Sequence, residues 1–344
     1  GISDGPRNLL ARAYKALPIA ITVEGANILT RTLIVFGQGV IRAHPYAFLE
    51  IEALERDDAR AFDRAFFGHM GFVFRNVVRS FLLSLTRGGL ALVPGDRVTS
   101  PYYRRLAWSS ATFALMTDMA MGSLGGNLQR REKLTGRFAD VLSWMYLAMA
   151  CLRRYEVEKP TEDHRVFLDW SMQYCFARIE EAFQGIFRNM PAGFIGALCR
   201  GPIALWSRLN PIGFEPRDTL GAAVAGLMQN RGKMRHDLTK GIYIPEDAET
   251  EQFARLELAF RLVRESQPIY DRIALAVRRK ELPLEPTAKL FRLAAENGLI
   301  TDAEFDLAIR TERARQEAIT VDAFADENFP YEVVPTKPSL SAAE

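Results

Sequence analysis

From Asn27 almost to the end of the chain, apolar residues recur every three to four positions. Nowhere do they alternate convincingly. Ile28, Leu29, Leu33, Phe36 and Val40 form one such stripe, and Val166, Phe167, Trp170, Tyr174, Ile179, Phe183 and Ile186 form a broader one. A period near 3.6 puts one apolar stripe on each segment, and a stripe of this kind is buried by packing against another helix. The chain is therefore expected to be all-α. It has 344 residues, 48% of them hydrophobic, which supplies material for one sizeable core or two.

Start and stop signals divide the pattern. A helix is expected from Asn27, its cap, weakening at Gly37 and Gly39 and ending before Pro45. Shorter helices follow at about Tyr46–Glu55 and Asp58–Phe67, and a buried one at Phe72–Leu85. Gly88, Gly89, Pro94 and Gly95 mark a linker. Thr99 and Ser100 ahead of Pro101 open a helix to about Gly122. Further helices are expected at Asn127–Glu156, from Thr161 to Pro191, at Glu249–Arg279 and at Thr287–Asn297, the last with Gly298 closing it. Thr301 and Glu304 form a capping box for one more, and the tail from about Glu327 is loose.

Charge and rare residues exclude several classes. A net charge of +2 and no basic-aromatic motif argue against nucleic-acid binding. Cys151, Cys175 and Cys199, odd in number and in apolar settings, read as reduced core thiols of a cytoplasmic type of protein. His44, His69, His164 and His236 are scattered, so no metal site is expected. No uninterrupted apolar run reaches the ~18–20 residues that span a bilayer, and the first residues, with no charged n-region ahead of an apolar h-region, are not expected to be a signal peptide. The chain opens on Gly1 directly into motif-like sequence, as a portion of a longer protein does.

One carboxylate stands out. In "IAITVEGANILTRTLIVFGQG", Glu24 is the only acid, joined to Gly25 and flanked by apolar residues. On residue type alone it is a first-turn acid favoured by a helix dipole, or a base in an apolar pocket. The block "GPRNLLARAYKALPIAITVEGANILTRTLIVFGQGVIRAHPY" resembles the long bacterial acyl-CoA dehydrogenases, whose C-terminal helix opens on an acid followed by glycine. "GGNLQRREKLTGRFADVLSWMYLA" is similar to the extra helical domain that those enzymes carry.

The resemblance implies a fold: the end of the acyl-CoA dehydrogenase C-terminal helical bundle (1–87), an extra α-helical domain (96–326), then the tail (327–344). It implies FAD as cofactor, fatty acyl-CoA as substrate, electron-transfer flavoprotein as electron acceptor and a homo-oligomer. It makes Glu24 the proton acceptor that opens α,β-dehydrogenation to trans-2-enoyl-CoA, with Gly25 and Gly5 near the flavin. Asn27 stands where the family often has Thr or Ser nearby; it either caps the helix or donates to the flavin. Arg31, one turn on, either faces a phosphate or an acid or, more simply, is a paired or solvated helix arginine.

Two further stretches have alternative readings. Arg188–Gly213 mixes Phe194, Ile195, Leu198, Ile203, Leu205 and Trp206 with Arg188, Arg200 and Arg208. It suits either a buried helix–loop–helix or peripheral contact with the inner membrane. "RGKMRHDLTKGIYIP" is a basic run and loop, either a solvated face, the simpler reading, or a surface that meets CoA phosphates or an electron-transfer partner. The competing reading of the whole chain is a non-catalytic helical module that docks a membrane or partner.

Overall fold

The computed structural model describes residues 9–24, 27–158, 160–230, 232–320, 323–324 and 333–334. The helices, in chain order, are α1 (Leu9–Ala16), α2 (Pro18–Glu24) and α3 (Asn27–Leu29), which runs through a π-helical segment, Thr30–Gln38, into α4 (Gly39–Ala43). Then come α5 (Ala47–Glu55), α6 (Ala59–Leu85), α7 (Ser100–Leu124), a 3-10 turn at Gly125–Arg130, α8 (Glu132–Val157) and α9 (Glu162–Asn189). Next are α10 (Phe194–Leu198), a π turn at Cys199–Ile203, α11 (Ala204–Leu209), α12 (Asp218–Gln229) and α13 (Lys233–Thr239). The last are α14 (Gln252–Arg278), α15 (Thr287–Glu296) and α16 (Asp302–Ile319). The only described strands are β1 (Ala323–Phe324) and β2 (Val333–Val334), one short antiparallel pair. The fold is all-α.

Two compact units form: residues 24–238, and residues 1–23 with 239–344. In the first, α8 and α9 pack along each other, and Phe138, Met172, Phe176, Ile179 and Phe183 are fully buried in its core. His164 Nδ1 accepts the Thr161 backbone N–H at 3.2 Å and lies 2.8 Å from the Thr161 hydroxyl, so α9 begins at a defined point. The turn at 86–99 lies within the unit; across it α6 packs on α7, with Ser80 Oγ 3.4 Å from Thr112 Oγ1. Asp96, rather than Thr99, caps α7: its Oδ1 accepts the N–H groups of Val98 and Thr99, each at 2.9 Å.

In the second unit α14 and α16 lie side by side. Small buried residues, Ala308, Thr311, Ala314 and Ala318, form the face that α16 gives to the core. Inside the contact, Ser266 Oγ and Thr311 Oγ1 are 2.6 Å apart, and the Gln252 amide donates to Ala318 O at 3.0 Å. Gly298 closes α15 with φ +69°, and the Thr301–Glu304 capping box opens α16, both as the sequence predicts.

Several expected boundaries move. Asp58–Phe67 and Phe72–Leu85 are one helix, α6, which runs straight through Gly68. Gly68 is a packing residue: a Cβ there would lie 2.6 Å from the Tyr46 ring. Gly37 and Gly39 do not end their helix either. A Cβ on Gly37 would sit 3.1 Å from Thr32 O, five residues back, where the wider π turn aims its carbonyls. Asn127–Glu156 divides into the 3-10 turn and α8. α12 was not expected, although Leu220, Val224, Leu227 and Met228 form a half-buried apolar stripe on it.

Phe138→Ala should destabilise the 24–238 unit by about 3–5 kcal/mol, because a fully buried ring leaves a cavity. Denaturant unfolding followed by tryptophan fluorescence checks this; a loss under about 1 kcal/mol contradicts the packing described.

Candidate functional site

Glu24 is the last residue of α2, and Asn27 the first of α3. The acid therefore sits where two helices meet, at the end of a helix and not in a first turn. The Glu24 side chain, Gly25 and Gly5 lie outside the described residues. Asn27 is exposed, and its amide makes no hydrogen bond to another described residue.

The segment that follows Glu24 is braced against α8. Arg31 forms a bidentate ion pair with Asp140, through Nε and Nη2, and this bond holds the guanidinium proton more firmly than usual. Gly136 makes room for it: a Cβ there would come within 2.6 Å of Arg31 Nη1. Arg31 is thus a paired helix arginine. Five residues on, Phe36 is 2% exposed and stacks on Phe138, with ring centroids 4.4 Å apart and planes 4° from parallel. Phe113 of α7 meets both rings edge-on. Thr32 Oγ1 donates to Ile28 O at 2.7 Å. The π register lets this one short segment aim Arg31 and Phe36 at the same helix.

A polar cluster the sequence did not reveal lies beyond this segment. His44 Nε2 is 3.0 Å from Asp118 Oδ1, and both side chains are almost wholly buried. His44 Nδ1 accepts the backbone N–H groups of Ala47 at 2.9 Å and Tyr46 at 3.2 Å. That nitrogen therefore carries no proton; the hydrogen is on Nε2 and is donated to Asp118. The same two bonds cap α5. His69 puts Nδ1 2.9 Å from Glu50 Oε1 and Nε2 3.7 Å from Asp118 Oδ1. His44, His69 and Asp118 bring donor atoms within 4.8 Å of one another. Metal ligation by His44 would need a bare Nε2 and a proton on Nδ1, where two N–H groups already point. The donor set suits a buried proton network. No spacing signal links His44, His69 and Asp118, which sit 25 and 49 positions apart in succession; only the α5–α6–α7 packing joins them.

Arg188–Gly213 is clamped at several points. Glu180 accepts Ser207 Oγ at 2.6 Å and the Ile212 N–H at 2.9 Å, and the Trp206 indole donates to Ser84 Oγ of α6 at 2.6 Å. Cys199, Ala204 and Ile212 are buried, whereas Phe194, Leu205 and Leu209 are 84%, 58% and 73% exposed. Trp206 closes one side of an apolar cavity of about 450 Å3 whose floor includes Trp108, Met116 and Phe187. The thiols are poor nucleophiles: burial pushes Cys175 up to about 12 and Cys199 up to about 11. Among the described residues no helix is long and apolar enough to cross a membrane.

The family model for the acyl-CoA dehydrogenase C-terminal domain of bacterial type matches residues 41–324. The chain belongs to this family. The match begins at Ile41, so it takes in the His44–Asp118 cluster, α8 and α9, while Glu24, Gly25 and Asn27 lie ahead of it. Membership places the chain with the acyl-CoA dehydrogenases, a class of oxidoreductases. No solved structure matches it.

The tautomer assignment has a direct check. In 15N NMR, His44 Nδ1 should resonate as an unprotonated ring nitrogen and Nε2 as a protonated one. His44→Ala should cost about 2 kcal/mol through the lost cap and the lost bond to Asp118. A protonated Nδ1 contradicts the network.

Proposed function

We propose that this chain supplies the catalytic base of a flavin-dependent acyl-CoA dehydrogenase that converts fatty acyl-CoA to trans-2-enoyl-CoA, the first step of fatty-acid β-oxidation. The observation that carries the reading is the position of Glu24–Gly25, directly ahead of a helix locked to α8 by Arg31 and Phe36. A base that must meet one hydrogen of one carbon needs a rigid mount, because misplacement by about 1 Å can cost on the order of 10²-fold in rate. The α-proton of a thioester is weakly acidic. The Glu24 carboxylate takes it, made more basic as bound acyl chain displaces water. The Glu24 N–H holds the thioester oxygen as negative charge grows on it. Gly25, without a Cβ, permits close approach of ligand. FAD, when bound, supplies the acceptor for the hydride that leaves the β-carbon. The free, exposed amide of Asn27 fits a hydrogen bond to the flavin edge, and Gly5 is assigned to the same neighbourhood. Electrons then pass to electron-transfer flavoprotein.

A homo-oligomer is supported by α6. Phe67, Met70, Phe74, Val77 and Phe81 are spaced three and four apart and are all exposed, the pattern of a helix seam awaiting a partner. Peripheral contact of 188–213 with the inner leaflet of a cytoplasmic membrane is supported by outward Phe194, Leu205 and Leu209 beside exposed Arg200 and Arg208. Trp206 is a weak reporter of that contact, since its indole is tied to Ser84. Binding to vesicles rich in phosphatidylglycerol should fall at least tenfold in Phe194→Asp/Leu209→Asp with the helical content intact. Equal binding by the two proteins contradicts membrane contact by this face.

Glu24→Gln in the full-length enzyme tests the main reading. The variant should bind flavin and acyl-CoA, while anaerobic bleaching of the flavin by acyl-CoA slows by about 10²–10⁴-fold. Bleaching at the wild-type rate means that the base lies elsewhere.

A further inference from the structure

A cavity of about 570 Å3 opens where the first turn of α8 meets the end of α9. Arg130, Arg131, Lys133 and Arg137 line it, with Glu132 as the one acid and Asn189 on the facing side. None of the four cations has an ion-pair partner among the described residues, and all four side chains border the same concavity. Arg137 is held in place: its Nη1 donates to Lys133 O at 3.2 Å, and its stem crosses α9 at Gly185, where a Cβ would lie 2.7 Å from its Cδ and Nε.

The bland explanation is that these side chains compensate the carbonyl end of α9. A helix terminus carries about half an elementary charge. Four cations against that half charge and Glu132 leave most of the positive charge unmatched, and it converges on one concave site. We propose that this cavity binds a ligand bearing two adjacent phosphate groups. A diphosphate offers several oxygens to planar guanidinium forks at once, and it matches the excess charge as a monoanion does not. The inference is independent of the role assigned to Glu24. The diphosphate can belong to a soluble nucleotide-like molecule or to a phospholipid headgroup, and the chemistry at the cavity is the same.

Calorimetric titration of the full chain with inorganic pyrophosphate at physiological salt is the test, with sulfate as the comparison anion. Pyrophosphate should bind at least tenfold more tightly than sulfate. Arg131→Gln/Arg137→Gln should weaken it at least tenfold further. Gly185→Ala keeps every charge but displaces Arg137, and should weaken binding severalfold. Arg313→Gln, which removes a positive charge on α16, should change nothing. Circular dichroism and thermal melting establish that each variant is folded. Retention on vesicles containing a diphosphate lipid, lost in the same variants, identifies a headgroup source; binding of free pyrophosphate without retention identifies a soluble one. Pyrophosphate binding no tighter than sulfate, or unchanged in the double variant, overturns the proposal.

Discussion

The stack of Phe36 on Phe138 is the contact on which the arrangement of the 24–238 unit depends. It ties the short helix that follows Glu24 to α8, whose inner face is fully buried. Phe138 is fully buried against Phe113 of α7 and Phe36 of the π segment, so any movement of Phe36 opens a cavity at the centre of the core. Arg31 and Asp140 fix the same segment one and a half turns earlier, at the rim, where the pair is part-exposed. A part-exposed pair is worth little as energy; it sets direction, and the aromatic stack supplies the holding force.

That division explains the π register. An α-helical turn advances 100° per residue, so Arg31 and Phe36 would lie about 140° apart on a regular helix. The wider turn reduces that angle and lets a cation and an aromatic ring share one neighbour. Gly37 and Gly39 belong to this device, since their missing Cβ atoms keep clear of Thr32 O and Ile34 O. A feature that reads in the sequence as a helix fading out is in fact a helix rewound to serve two contacts.

Features written in consecutive residues were legible. The helix start at Thr161, the capping box at Thr301, the helix stop at Gly298 and the all-α class all follow from local chemistry or from period. Features made by distant residues were not. Gly68 looks like a break until Tyr46 is seen against it, and His44, His69, Glu50 and Asp118 look unrelated until α5, α6 and α7 are packed. The basic turn at Arg130–Arg137 reads as an ordinary charged face until α9 closes a cavity over it. Glu24 is the opposite case. Its setting was legible as a motif, and what the fold adds is the brace that follows it.

The central claim is that α8 holds the segment after Glu24 in place. Hydrogen exchange across residues 30–43, compared between wild type and Phe36→Ala, tests it most directly. Loss of a buried ring that costs about 3 kcal/mol should speed exchange there by on the order of 10²-fold, while α14–α16, with their own core, keep their protection. Unchanged exchange at 30–43 would contradict the claim, because the segment would then be held by something other than the Phe36–Phe138 contact.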